Sequence, residues 1–142
     1  MAHDRQGRAL AQLVQVRRME ALARRSEALA ALGRVAALDR QIDGIDARVA
    51  AEAAALADYA DMPALGRWAD GMDANRRSLV RRRAGEQRQA DALVARAAAA
   101  EMVTEQHREL LADHRRKQTE ARRRAAERAE WEALAARFAG PR

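Results

Sequence analysis

From Leu29 onward the large apolar residues fall at Leu29, Leu32, Val35, Leu38, Ile42, Ile45, Val49 and Leu56, at intervals of 3, 3, 3, 4, 3, 4 and 7. Alternating steps of three and four place side chains on one narrow stripe of an α-helix, with the 3.5-residue average of a coiled coil. Upstream, Leu10, Leu13, Val16, Met19 and Leu22 follow a less regular phase and are crowded by Arg17, Arg18, Arg24 and Arg25, so this end is expected to be less well zipped. Beyond residue 68 the stripe thins to Met72, Leu79, Val80, Leu93, Val94, Met102, Val103, Leu110, Leu111, Trp131, Leu134 and Phe138. Alanines fill the gaps, notably Ala97 to Ala100, while Arg82, Arg83, Glu86 and Gln87 interrupt the seam.

Between the two patterns lies Asp58-Tyr59-Ala60-Asp61-Met62-Pro63-Ala64-Leu65-Gly66-Arg67-Trp68. Proline lacks a backbone donor and clashes with the preceding turn, so Pro63 is accommodated at the first position of a helix but not inside one. Neither flanking helix can bury an apolar stripe alone, and a break of a few residues lets the second fold back along the first. The expected architecture is all-α: a single coiled-coil domain over 1–142 in which helices at about 8–57 and about 69–139 form an antiparallel hairpin across a bend at about 58–68. The C-terminal helix is the longer, so its last turns should overhang, ending at the stop Gly140-Pro141. Gly33 and Gly44 inside the first helix read as small residues beside a narrow seam.

Composition sharpens this picture. Aromatic residues are 3% of the 142, and the hydrophobic 49% is mostly alanine, the strongest helix former, which favours long, closely approaching helices over a globular core. Strand is not expected, and the free protein should be marginally stable. The absence of cysteine removes disulfides, thiolate nucleophiles and cysteine zinc sites. Neither an apolar signal core nor a membrane-length apolar stretch occurs in the sequence, so the expectation is a cytoplasmic protein without membrane insertion.

The net charge of +6 is carried almost entirely by arginine, with Lys117 the only lysine. Arg81-Arg82-Arg83, Arg115-Arg116-Lys117 and Arg122-Arg123-Arg124 are clusters, the last two one heptad apart and so stacked into a basic band. Such a band could be a solvated face, since Glu105, Glu109, Asp113, Glu120 and Glu127 supply neutralising partners along the helix. It could also meet an acidic protein surface or nucleic-acid phosphates. Trp131 and Phe138 either await a partner or cap the hairpin base against Leu10 and Leu13. His107 and His114 are seven apart, about 10.5 Å along a helix, and cannot share one metal ion. With no phosphate loop and no nucleophile elbow, the residues point to no enzyme, no cofactor and no metal.

These features together resemble the FliJ/YscO family of type III secretion stalk proteins. The likeness lies in Leu10-x-x-Leu13, the stripe Leu38, Ile42, Ile45, Val49, the bend ending Arg67-Trp68, and the closing Glu130-Trp131-Glu132-Ala133-Leu134-Ala135-Ala136-Arg137-Phe138, and it covers nearly the whole chain. It implies a non-enzymatic component of a flagellar-type protein export apparatus, cytoplasmic and peripheral to the inner membrane. Its partners would be the hexameric export ATPase, the cytoplasmic domain of the export gate and export chaperones. By position, the ATPase side would be Leu10, Leu13, Arg115, Arg116, Arg122, Arg123, Trp131 and Phe138. The gate side would be Ile42, Ile45, Val49, Tyr59, Trp68, Met72 and Leu79. The free protein would be a monomer. The alternatives are an arginine-rich coiled-coil arm binding nucleic acid, and a structural coiled coil that oligomerises.

Overall fold

The computed structural model describes residues 2–140, with side chains from Asp4 onward, so the His3 side chain and the Pro141 of the expected stop lie outside what is described. Helix α1 runs Ala2–Ala55, a single 3-10 turn spans Ala57–Tyr59, and helix α2 runs Pro63–Ala139. The two helices pack against each other as an all-α helical hairpin, and no strand occurs among the described residues. At 77 residues against 54, the C-terminal helix is the longer.

The bend is shorter than the sequence suggests. The Leu56 amide still donates to the Glu52 carbonyl, the Tyr59 amide then donates to Leu56, and Met62 donates to Tyr59, so the chain tightens into 3-10 geometry. The Met62 carbonyl accepts from both Leu65 and Gly66, which makes Met62 the residue that opens α2 and puts Pro63 at its first position, where no amide hydrogen is needed. Ala64 to Trp68, expected in the bend, are therefore the first turns of α2. Among the described residues only Gly140 has a positive φ, 53°, where α2 stops.

The chain divides into two compact units, one of Met1–Ala21 with Ala100–Arg142 and one of Leu22–Ala99. In the Leu22–Ala99 unit, a seam of buried and half-buried positions runs through Ala28, Ala31, Val35, Leu38, Ile42, Ile45, Val49 and Glu52 of α1 to Leu56 just beyond it, in alternating steps of three and four, with Ala37 and Asp39 half-buried at its margin. Facing them on α2 are Leu65, Trp68, Met72, Arg76, Leu79, Arg83, Glu86, Ala90, Leu93 and Ala97. At the centre Ala31 and Ala90 are fully buried beside Val35, with Leu93 against them. The expected stripe is right from Val35 to Leu56 and out of phase before it. Leu29 is 59% exposed and Leu32 is also exposed, while Ala28 and Ala31 hold the seam. Counting back from Val35 in coiled-coil steps reaches 31 and 28, and alanine there lets the backbones approach closely. Val80 and Val94 also face outward, as do Met102 and Leu110 in the other unit.

The interruption foreseen at Arg82 to Gln87 is a ladder of ion pairs. Arg83 donates to Asp39 (2.6 Å), Arg76 to Asp46 (2.7 Å) and Arg34 to Glu86 (3.2 Å). From Asp39 to Asp46 is seven residues forward and from Arg83 to Arg76 seven back, which establishes an antiparallel register. The planar guanidinium heads reach across while the stems cover apolar seam, a pattern suited to Arg at the margin of a narrow interface. The hydrogen bond that each guanidinium donates to its carboxylate, and then the carboxylate's charge, raise the pKa values of Arg83 and Arg76.

In the other unit Gly7, Leu10, Ala11, Leu13, Val14 and Arg17 of α1 are half-buried and Ala21 is buried. Thr104 on α2 is buried and its hydroxyl lies between the carbonyls of Arg17, across the interface, and Ala100, one turn back. Gly7 passes so close to the His114 ring that a Cβ there would sit 3.3 Å from Nε2. From Gly7 to Arg17 is ten residues forward and from His114 to Thr104 ten back, antiparallel again. Gly33 and Gly44 do not serve packing as expected: both are exposed, and a Cβ at either would meet nothing within 4 Å.

Candidate functional sites at the bend and on the C-terminal helix

At the bend, Leu56 and Leu65 close the seam and Trp68 packs half-buried beside them, because the first turns of α2 continue the spacing Leu65, Trp68, Met72. Tyr59 and Met62, on the 3-10 turn and at its exit, stay exposed. These side chains, with Ala64 and Glu52, line an open groove of about 480 Å³. That size lies within the ordinary range for a ligand or side-chain pocket. Glu52 is the acidic residue of its lining.

The residues expected to face an export gate therefore separate into three situations. Ile42 is buried in the seam, and a partner reaches it only by opening the hairpin. Ile45, Val49 and Met72 are half-buried and border a smaller groove of about 330 Å³ with Asp46 and Arg76, and Leu79 flanks a neighbouring one. Tyr59 and Trp68 share the bend groove.

Of the residues expected to face an ATPase, Leu10 and Leu13 are half-buried in the unit formed by Met1–Ala21 and Ala100–Arg142. They do not cover the aromatic pair: Trp131 is 73% and Phe138 86% exposed, and every described residue from Thr119 to Gly140 is exposed. Trp131, Leu134 and Phe138, at steps of three and four, form one apolar stripe on this segment. Continuing the α2 seam from His114 and Gln118 at coiled-coil steps leads through Ala121, Ala125 and Arg128, so the aromatic stripe lies about a quarter turn away from the seam.

The basic band is partly neutralised. Lys117 donates to Asp113 at 2.9 Å with Arg116 beside them, Arg123 pairs with Glu127, and Arg124 pairs with Glu120. The Lys117 hydrogen bond and charge hold the Asp113 carboxyl below its ordinary value. Arg115 and Arg122, one heptad apart, have no ion pair among the described residues, and Arg115 flanks a shallow groove with Thr119 and Arg123. The exposed charge of the band therefore rests chiefly on two of the four arginines the sequence singles out.

His107 donates from Nδ1 to the Val103 carbonyl at 2.7 Å, within its own helix, and His114 lies against Gly7. No group of three or more His, Cys, Asp or Glu side chains among the described residues is arranged to hold a metal ion. Among the described residues no helix is long and apolar enough to cross a membrane. Sequence reasoning missed Glu52 as a groove residue, although its place four residues before Leu56 and three after Val49 put it on the seam. Comparison of the chain with protein-family models, with curated proteins and with solved structures finds no match.

Proposed function

We propose that the chain is a non-enzymatic stalk of the FliJ/YscO type, acting at the cytoplasmic face of a flagellar-type export apparatus. In this reading the exposed C-terminal turns of α2 engage the hexameric export ATPase, the bend region engages the cytoplasmic domain of the export gate, and export chaperones are further partners. The observation that carries it is the exposure of Trp131 and Phe138 on a helical segment that also presents unpaired Arg115 and Arg122. A lone helix about 10–12 Å across can enter the opening of a ring. Arginine beside exposed aromatic surface suits the desolvated centre of a protein interface, where a few such residues dominate the binding energy.

Stimulation of the ATPase would follow from unequal contact with its subunit conformations, because a ligand shifts an equilibrium only by its difference in affinity. The phosphate-binding alternative is weakened by the neutralisation of Arg116, Lys117, Arg123 and Arg124 along their own helix. The test is a reconstituted ATPase assay with Trp131→Ala and Phe138→Ala combined. Both side chains are exposed, so helicity should be retained while stimulation falls at least about tenfold, the loss of roughly 1.4 kcal/mol of binding. Undiminished stimulation would remove the aromatic stripe as the working surface.

A further inference from the structure

The ion-pair ladder stops one step short of the bend, and that gap coincides with the groove. Asp39 meets Arg83 and Asp46 meets Arg76. One heptad further along α1 the chain reaches Glu52 and Ala53, and one heptad back along α2 it reaches Ala69 and Asp70, so Glu52 has no cation opposite. Among the described residues its carboxylate has neither an ion pair nor a hydrogen bond, although the residue is half-buried. A carboxylate at the wall of an apolar groove with no cation of its own chain paired to it can form a charge-assisted contact with a cation brought there.

The surroundings define what would bring that cation. The groove wall is Leu56, Met62, Leu65 and the Trp68 and Tyr59 rings, which calls for an apolar side chain. Over the stretch 52–70 Glu52, Asp58, Asp61 and Asp70 stand against Arg67 alone, a local excess of three negative charges on a chain of net charge +6, while Asp73 beyond it is paired with Arg77. We propose that the groove at the bend is a docking site for a basic amphipathic segment of a partner protein, which inserts an apolar side chain beside Trp68 and sets a lysine or arginine against Glu52. This specifies the chemistry of the partner at the bend in the reading above, and it stands on the groove and the unmatched carboxylate.

The test uses the full chain with Trp131→Phe, so that Trp68 is the sole indole reporter, and two short helical peptides, one of leucine and lysine and one of leucine and glutamate with the same apolar face. The lysine peptide should shift Trp68 emission to the blue and saturate, with the glutamate peptide at least about tenfold weaker. The isosteric Glu52→Gln should weaken the lysine peptide roughly tenfold, as expected for loss of one charge-assisted contact. Leu65→Ser should weaken both peptides, with retained circular dichroism certifying the fold. Equal binding of the two peptides, unchanged affinity in Glu52→Gln, or binding without a Trp68 response overturns the proposal. So does a concentration-dependent Trp68 shift in the absence of peptide, which would make a second copy the occupant. A parallel titration with the purified export-gate domain separates the two ideas. Peptide binding as expected with no gate binding leaves the groove standing and defeats the export assignment at this end. Gate binding indifferent to Glu52→Gln does the reverse.

Discussion

Gly33, Gly44 and Gly7 show how much a single atom's surroundings decide. All three lie inside α1, yet a Cβ at Gly33 or Gly44 meets open space whereas one at Gly7 presses on the His114 ring at 3.3 Å. Gly33→Ala and Gly44→Ala should each stabilise the protein by about 0.5–1 kcal/mol through helix propensity, and Gly7→Ala should gain less or lose, as thermal unfolding of the three variants would reveal. Asp113 offers a second check. Its carboxyl is held below the ordinary range by Lys117 and then by Arg116, so the stabilisation it contributes is present above its unfolded-state value and is lost as pH falls through the lower folded value. A side-chain carboxyl NMR titration should place Asp113 below the ordinary aspartate value, and Lys117→Gln should move it back up; an unmoved titration contradicts the contact.

At the scale of the helices, the seam is where sequence and structure are most usefully compared. Val35, Leu38, Ile42, Ile45 and Val49 are legible because large side chains sit at every coiled-coil step. Ala28 and Ala31 are not, because alanine is everywhere in this chain and the neighbouring Leu29 and Leu32 attract the eye to the wrong phase. Arg76, Arg83 and Glu86 look like interruptions until the register supplies Asp46, Asp39 and Arg34, and register is a property of two helices that neither helix spells out. The groove at Glu52 was hidden for the same reason. Helix and bend are readable from Pro63, whereas Ala64 to Trp68 belong to the first turns of α2 and not to the bend the sequence suggests. The corrected phase makes an asymmetric prediction. Ala31→Leu should destabilise by about 1–3 kcal/mol through overpacking, while Leu29→Ala and Leu32→Ala should each change stability by only about 0.5 kcal/mol, measured by denaturant unfolding. The ladder predicts that Asp39→Arg and Arg83→Asp each lower the melting temperature and that the double exchange recovers part of the loss, less so at high salt.

For the molecule as a whole, the organising feature is that each of its two units carries a surface of its own character. The bend carries an acidic apolar groove, and the turns from Arg115 to Phe138 carry Arg115, Arg116, Lys117, Arg122, Arg123, Arg124, Arg128 and Arg137 against Glu120, Glu127, Glu130 and Glu132, with Trp131 and Phe138 exposed. Surfaces so unlike would favour different partners in the proposed reading, since charge complementarity sets which partner each attracts. The central claim is that the chain is an adaptor that binds two different proteins through these two surfaces, and sedimentation velocity of the purified chain with the export ATPase and the export-gate domain tests it most directly. The account predicts a ternary complex from which Trp131→Ala with Phe138→Ala removes only the ATPase, and Glu52→Gln with Leu65→Ser removes only the gate domain. Loss of both partners with either pair of substitutions, or failure of the chain to bind either protein, would contradict it.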